Sequence, residues 1–511
     1  MFRDSFTEKL LQSSEDDIEA SRPVLPLRKL LKRRSRLICL VLSLFCLSIL
    51  AFTVLNFSSK TSHYEGLSST LSCPSTREKR ISGIIAGEHV CTEVSSNSTG
   101  FQISTCQSKN SCYSGYVFIE RIDENYCKQA KAIEISKNPS YTELFHTLDG
   151  PDTFYVNFTG AEKYSIHEWT YDGNCAYKFP YQFSNAGEFF LDIIHVYKDY
   201  DGVNEVSQRW PPYLDSTLVT QHRIEICPGC LAIGSDSTYP EIVSEEIPEC
   251  DRENPTSGSW LPADTNLATN ISTSGYVWKP LGCRYPNRFR GVKDSKCFEN
   301  PRSILFFGDS QIRVMYDNLW RRLEGYTERV PTLNRFFDMK KKIGNVVLWH
   351  HKDVFLQDFV SRDDTFLMNY DTIVFNFAHW PASGTVFGGH WTTEEYMDAL
   401  NNATDFLTGV QNRRPNNRPL RLIWQGIHAF SMKNIYSKKR GDWRTISRLK
   451  NWNHLAEDLV RSKGIRAMNS FEMTYSMLDT SPDNAHYFGT DAEEAVVDEM
   501  IHKLDLCTPF P

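Results

Sequence analysis

The stretch Ile304–Trp320, ILFFGDSQIRVMYDNLW, decides how the second half of this chain is read. An apolar run, Ile304–Phe307, stops at Gly308-Asp309-Ser310, and Ile312, Tyr316, Leu319 and Leu323 then recur at helical spacing. A buried strand followed at once by an amphipathic helix is the repeating unit of a parallel sheet, whose crossovers run through helices. Ser310 stands at the tip of that strand. It is either a nucleophile or the N-cap of the helix, because a serine oxygen in that place also satisfies a free N–H of the first turn.

The alternation continues downstream. "DTIVFNF" and "LRLIW" read as buried strands, with a further short strand near Ile465. Between them lie a helix opened by a capping box, Thr392 to Glu395, a helix ended by Gly464, and a last helix capped by Thr490 with Glu493. This predicts an α/β domain over 251–511, a parallel sheet with helices on both faces. Ahead of it, "TFYVNF" and "EFFLDIIHVY" are aromatic and β-branched runs punctuated by Gly, Asn and Asp. They predict an immunoglobulin-like β-sandwich over 138–250. Residues 58–137 are polar and Cys-rich without sustained periodicity, and read as a stem.

The apolar and charged fractions, 41% and 23%, are those of a globular protein rather than a disordered one. Net charge is −7, unevenly spread: the first 36 residues carry nine Lys/Arg against six Asp/Glu. The basic run "RKLLKRRSR" directly precedes the uncharged segment Leu37–Phe57, long enough to span a bilayer as a helix. By the positive-inside rule this is an uncleaved signal anchor, with 1–36 as a cytosolic tail, 37–57 in the membrane and the remainder lumenal. The basic cluster is then a topology signal, and no nucleic-acid partner is expected. Twelve of the fourteen cysteines follow the anchor, and sequons stand at Asn97, Asn157, Asn270 and Asn402. Both fit disulfides and glycosylation in the secretory pathway. Zinc is the rival reading for Cys227-Pro-Gly-Cys230, but no second CxxC partners it, so no metal is expected. Cys283 and Cys297 flank a short loop before the Ile304 strand and are expected to pair, contributing about 3 kcal/mol by loop closure.

In a parallel sheet the working residues gather beyond the carboxyl ends of the strands. Ser310, Asn376, and the loop carrying Asp483 and His486 all fall on that edge. A serine hydroxyl needs a base, and the base needs an orienting group. His486 fits the first role and Asp483 the second. The Ser310 N–H and the Asn376 amide would stabilise an oxyanion, with Gly344 as a third donor. Asp309, Arg313 and His379 would support the site, Arg313 by bracing the loop in preference to binding an acidic substrate group.

These residues carry a resemblance. "GSWLPA…YVWKPLGCRYPNRF…CFENPRSILFFGDSQIR", with Trp260, Trp278, Pro280, Cys283, Phe289, Cys297, Gly308-Asp309-Ser310 and Arg313, resembles the PC-esterase family of the GDSL/SGNH superfamily. That family includes the trichome-birefringence-like proteins, the lumenal domain of sialic acid O-acetyltransferase, and the neurexophilin-and-PC-esterase proteins. "VFNFAHW" is similar to the family's Asn-x-Gly-His-Trp segment through Asn376, His379 and Trp380, with Ala378 in place of glycine, and "DNAHY" to its terminal Asp-x-x-His. The resemblance covers Gly258 to the C-terminus. It implies an SGNH-type fold and O-acetyl transfer to glycans or polysaccharides, or acetyl-ester hydrolysis from them, through an acyl-enzyme on Ser310. No bound cofactor is expected; a transferase would use an acetyl donor such as acetyl-CoA. Because the chain lacks the many membrane spans of the sialic acid enzyme, that donor would come from a membrane partner. A Golgi or other secretory-pathway membrane is the expected location. Two alternatives stand beside this one: a type II glycosyltransferase using Asp199-Tyr200-Asp201, and a catalytically inactive glycan-binding protein.

Overall fold

The computed structural model describes residues 84–86, 88–207, 209–227, 247–263, 272–285, 296–326, 339–357, 364–384, 389–415, 418–431 and 442–507. The anchor segment Leu37–Phe57, the basic run before it, Cys230, Asn270 and Phe289 lie outside them.

Two antiparallel sheets come first. In spatial order one is β1 (Ile84–Ala86), β2 (His89–Glu93), β3 (Phe101–Ser108), β4 (Ser114–Arg121), β8 (Ala176–Gln182) and β7 (Thr170–Gly173). The other is β10 (Ser216–Ile226), β9 (Gly187–Tyr197), β5 (Thr153–Gly160) and β6 (Tyr164–Ser165). Alternate residues of both point inward to one core, where Val117, Ile119 and Phe179 meet Phe154, Val156, Leu191 and Ile193. Helices α1 (Glu124–Ala130) and α2 (Pro139–Leu148) sit between β4 and β5 in the chain.

A hairpin of β11 (Gly258–Pro262) and β12 (Tyr276–Pro280) leads to the last sheet. Its order is β14 (Met339–Ile343), β15 (Val346–Lys352), β13 (Arg302–Gly308), β16 (Thr372–Asn376), β17 (Arg421–Trp424) and β18 (Arg466–Ala467). Strands β15 to β18 and β13 run parallel, while β14 is antiparallel at the edge. Leu305, Phe307, Ile373 and Phe375 face one core with α6 (Thr393–Asn412) and α7 (Ile446–Ser462). Ile304, Phe306 and Val374 face the other with α3 (Ser310–Leu323) and α9 (Asp491–Leu504). The short helices α4 (Asp364–Leu367), α5 (His379–Ala382) and α8 (Ser470–Tyr475) complete the set among the described residues.

The expected fold class is corrected by these observations. Three of the four sheets are antiparallel and the fourth is mixed, so the chain is a mixed α and β structure rather than an SGNH-type parallel sheet behind a small sandwich. The expected stem, 58–137, is not separate: its strands β2 to β4 pair on into β8, so the antiparallel module starts well before residue 138 and exceeds an immunoglobulin domain. Its strands escaped detection because their faces mix half-buried and exposed residues, which blurs the period-2 signal. Among the described residues no helix is long and apolar enough to cross a membrane.

Disulfides join Cys91–Cys106, Cys127–Cys175, Cys250–Cys283 and Cys297–Cys507, and Cys112 and Cys227 are also disulfide-bonded. The expected Cys283–Cys297 pair is therefore wrong. Arg284 pairs with Glu249, which brings Cys283 to Cys250, while the end of α9 brings Cys507 to Cys297. Bridges of this number belong to an oxidising, secretory-type environment.

The antiparallel module packs directly on α6 and α7. Asp149 accepts from Lys450 (2.9 Å) and Asn451 (2.5 Å), Thr153 bonds Ser447 (2.9 Å), and Glu205 accepts from the Thr393 N–H (2.7 Å) at the start of α6. All of these groups are buried.

Candidate active site

Strand β13 ends at Gly308, whose φ of +150° is a region side chains rarely adopt. A Cβ there would press into the Asn376 carbonyl of β16, its register partner. The chain can then turn sharply into α3. Asp309, not Ser310, is the N-cap: its carboxylate accepts from the Gln311 N–H (2.8 Å). Ser310 is the first helical residue, with its N–H among those the helix itself cannot bond. The cap reading of Ser310 falls away.

The hydroxyl of Ser310 lies 2.6 Å from His486 Nε2, and His486 Nδ1 lies 2.8 Å from Asp483 Oδ2. Asp483 Oδ1 also accepts from the N–H groups of Ala485 (3.1 Å) and His486 (2.9 Å), which folds the loop so that the ring faces Ser310. Asn484 takes the left-handed φ of 75° that this turn requires. Burial would raise the Asp483 pKa, but the hydrogen bonds and charge of His486 outweigh it and hold the carboxyl below its ordinary value. Ser310 is 4% exposed.

The base loop is tied down on both sides. Gln311 of α3 donates to the Ala485 carbonyl, Tyr487 to the Ala429 carbonyl (2.9 Å), and the Ser431 N–H to the Asn484 carbonyl (2.8 Å). Sequence reasoning missed this second wall, Gln425–Ser431. Its signal was present, because "QGIHAF" follows the β17 strand immediately at the edge where such residues collect. His379 Nε2 donates to the His428 carbonyl (2.8 Å), joining the loops after β16 and β17. Burial, and for His379 the Arg444 charge, lowers the pKa of both rings, His428 to about 3, so both imidazoles are neutral.

Asp309 also accepts from the Ala378 N–H (3.4 Å), and burial raises its pKa despite these bonds. Arg313 is buried one turn into α3; burial pulls its pKa down against the charges of Asp317 and Asp309.

Two expected oxyanion donors do not serve. The Asn376 amide donates to the carbonyls of Gln425 and Gly426 (3.1 Å to the latter), so it closes the bend after β17 instead of facing the site. Gly344 lies in the turn between β14 and β15, beside the start of β13. It is a whole strand away, on the order of 20 Å from the carboxyl edge at about 3.3 Å per residue.

Of the sequons, Asn97 and Asn402 are exposed, while Asn157 is half-buried and accepts from Ser165 (2.8 Å). Asp199 and Tyr200 form a left-handed turn after β9, and burial raises the Asp201 pKa to about 6. Trp260 packs edge-on against Trp278 (5.5 Å) and donates to the Met473 carbonyl (3.1 Å), which supports α8 from behind.

A scan against family models finds no match for the chain, and a search of curated proteins finds none either.

Proposed function

We propose that the protein is a serine-dependent carbohydrate O-acyl enzyme, an acetyltransferase or acetylesterase, related to the PC-esterases. The observation that carries the reading is the hydrogen-bonded relay Ser310–His486–Asp483. His486 Nε2 takes the Ser310 proton as Oγ attacks the carbonyl carbon of an acetyl ester. The tetrahedral oxyanion is stabilised by the Ser310 N–H and the positive end of α3. When the intermediate collapses, the bond to the leaving alcohol or thiol breaks, that group takes the proton from His486, and the acetyl group stays on Ser310. A glycan hydroxyl or a water then attacks the acyl-enzyme, gives its proton to His486 and restores the serine. Asp483 holds the imidazole in the tautomer this needs and stabilises its charge. Transfer to sugar would draw on an acetyl donor such as acetyl-CoA, supplied across the membrane by a partner. The protein would be held in a Golgi or other secretory-pathway membrane through Leu37–Phe57, with the site lumenal.

The test is acyl-enzyme capture. Full-length protein is exposed to p-nitrophenyl acetate or acetyl-CoA, quenched in acid, and digested for mass spectrometry. Acetylation of the Ser310 peptide, absent in Ser310→Ala, is expected. Turnover that is equal in Ser310→Ala would overturn the reading.

A further inference from the structure

The segment between β9 and β10, Lys198 to Asp215, belongs to the antiparallel module but reaches the α/β module. It is fastened there: Glu205 caps the start of α6 through Thr393 and lies 3.7 Å from Arg448 Nε, and Thr445 donates to the Gly202 carbonyl. Arg448, fully buried, in turn donates to the carbonyls of Ala382 (3.2 Å), Trp443 (3.3 Å) and Trp391. What this braced segment delivers is Trp210. Its indole is 39% exposed, one of the few large apolar side chains on the described surface.

Trp210 does not stand alone. Its ring lies 6.3 Å from that of Trp443, tilted by 35°, and His390 stacks on Trp443 at 3.9 Å. Gly384 lets the two indoles close, since a Cβ there would lie 2.8 Å from Trp443 Nε1 and 3.0 Å from Trp210 Cζ3. His390 takes a φ of +67°, costly for this residue, and its Nε2 is buried with no partner among the described residues. Beneath it, buried groups connect toward the relay. Arg444, next to Trp443, lies over Phe430 (4.2 Å), Phe430 lies 6.1 Å from His379, and the 428–431 loop bonds the loop that carries His486.

A part-exposed indole on a braced segment, backed by a second indole, matches the face of a pyranose. Such a ring has an apolar C–H face that stacks on an indole. We propose that Trp210, backed by Trp443 and His390, forms a carbohydrate subsite that binds a sugar ring of the glycan substrate, so that the antiparallel module supplies part of the acceptor site. This rests on the reading of Ser310 as a glycan O-acyl enzyme, and it names where that glycan is held. Preorganisation by Glu205 and Arg448 lowers the ordering cost of binding there.

Binding is measured on full-length Ser310→Ala protein with an array of neutral and sialylated oligosaccharides, which separates recognition from chemistry. Adding Trp210→Ala should weaken binding about tenfold or more, as truncating a central aromatic anchor does. Trp210→Tyr should restore most of it. Trp210→Tyr should melt near the parent, and Trp210→Ala, which gives up the contact with Trp443, should still fold. Binding unchanged in Trp210→Ala, or no array glycan bound by the parent, overturns the subsite. Loss of binding in Trp210→Ala supports it even if Ser310 proves not to be acylated, in which case the enzymatic reading alone fails.

Discussion

Gly308→Ala tests the junction on which the candidate site depends. The residue has φ +150°, and an added Cβ would lie 3.0 Å from Ile312 Cγ1 and 3.1 Å from the Asn376 carbonyl carbon, with the carbonyl oxygen nearer still. Two costs follow. Holding alanine in a region reserved for glycine costs about 1–3 kcal/mol. Forcing a methyl against a neighbouring strand that is fully buried costs about another 1–3 kcal/mol. Neither neighbour is the free end of a flexible chain: one is backbone in the middle of the sheet and the other a core isoleucine. The sum, roughly 2–6 kcal/mol, corresponds to a fall in melting temperature on the order of 5–15 °C for a domain of this size. The strand-to-helix turn should shift as well, carrying Ser310 away from His486, so that a chain that still folds reacts poorly at Ser310. The assay is thermal unfolding by circular dichroism, followed by labelling of Ser310 with a fluorophosphonate probe at a temperature where both proteins are folded. A melting temperature within about 1 °C of the parent, with unchanged labelling, would refute the argument that this glycine sets the site.

Other outcomes follow from the same geometry. Ser310→Ala should abolish acetyl transfer and ester cleavage but leave the melting temperature nearly unchanged, because the cap belongs to Asp309; a large loss of stability would mean the serine is structural. His486→Ala should be comparably inactive and Asp483→Asn less so, read as turnover of an acetylated substrate, since the three act as a unit. Asp483, held below its ordinary value, should stay ionised as the pH falls below the usual carboxylate range, so its own protonation should not set the acid limit of activity; an acid limb that vanishes in Asp483→Asn would reverse this. Non-reducing peptide mapping should find Cys250–Cys283 and Cys297–Cys507, which close 33 and 210 residues; by chain entropy these loops correspond to about 4 and about 5 kcal/mol. Glu493 is buried and its pKa is raised to about 8 from an ordinary 4.5. The folded form thus keeps a proton that the unfolded chain releases, and stability should fall by a few kcal/mol as pH rises from about 4.5 to about 8. Glu493→Gln should flatten that fall in urea titrations at several pH values, and an equally steep fall would remove Glu493 from the account.

The sequence by itself determined the local elements of the second half. Ile304–Phe307, the capping box at Thr392 and Glu395, the cap at Thr490, and the stop at Gly464 are all decided within a few residues of one another, by hydrophobic period and capping chemistry. The rule that chemistry gathers at carboxyl strand ends was enough to single out Ser310, Asp483 and His486 together, although 173 and 176 residues separate the serine from the other two. What the tertiary structure decided is what depends on partners distant in the chain. Asp309 rather than Ser310 became the cap, because the helix start is chosen by where Gly308 can turn against β16. Asn376 turned from the site to the Gln425 and Gly426 carbonyls, which need donors once β17 ends beside it. Cys283 went to Cys250 and Cys297 to Cys507, since a disulfide follows the proximity of folded strands and helix ends and not the shortest loop. The polar segment before residue 138 became part of a sheet, because strands with one half-buried face acquire their pattern only from the neighbours they pair with. Trp210 meets Trp443 across 233 residues for the same reason: no local rule carries information about a surface built from two modules.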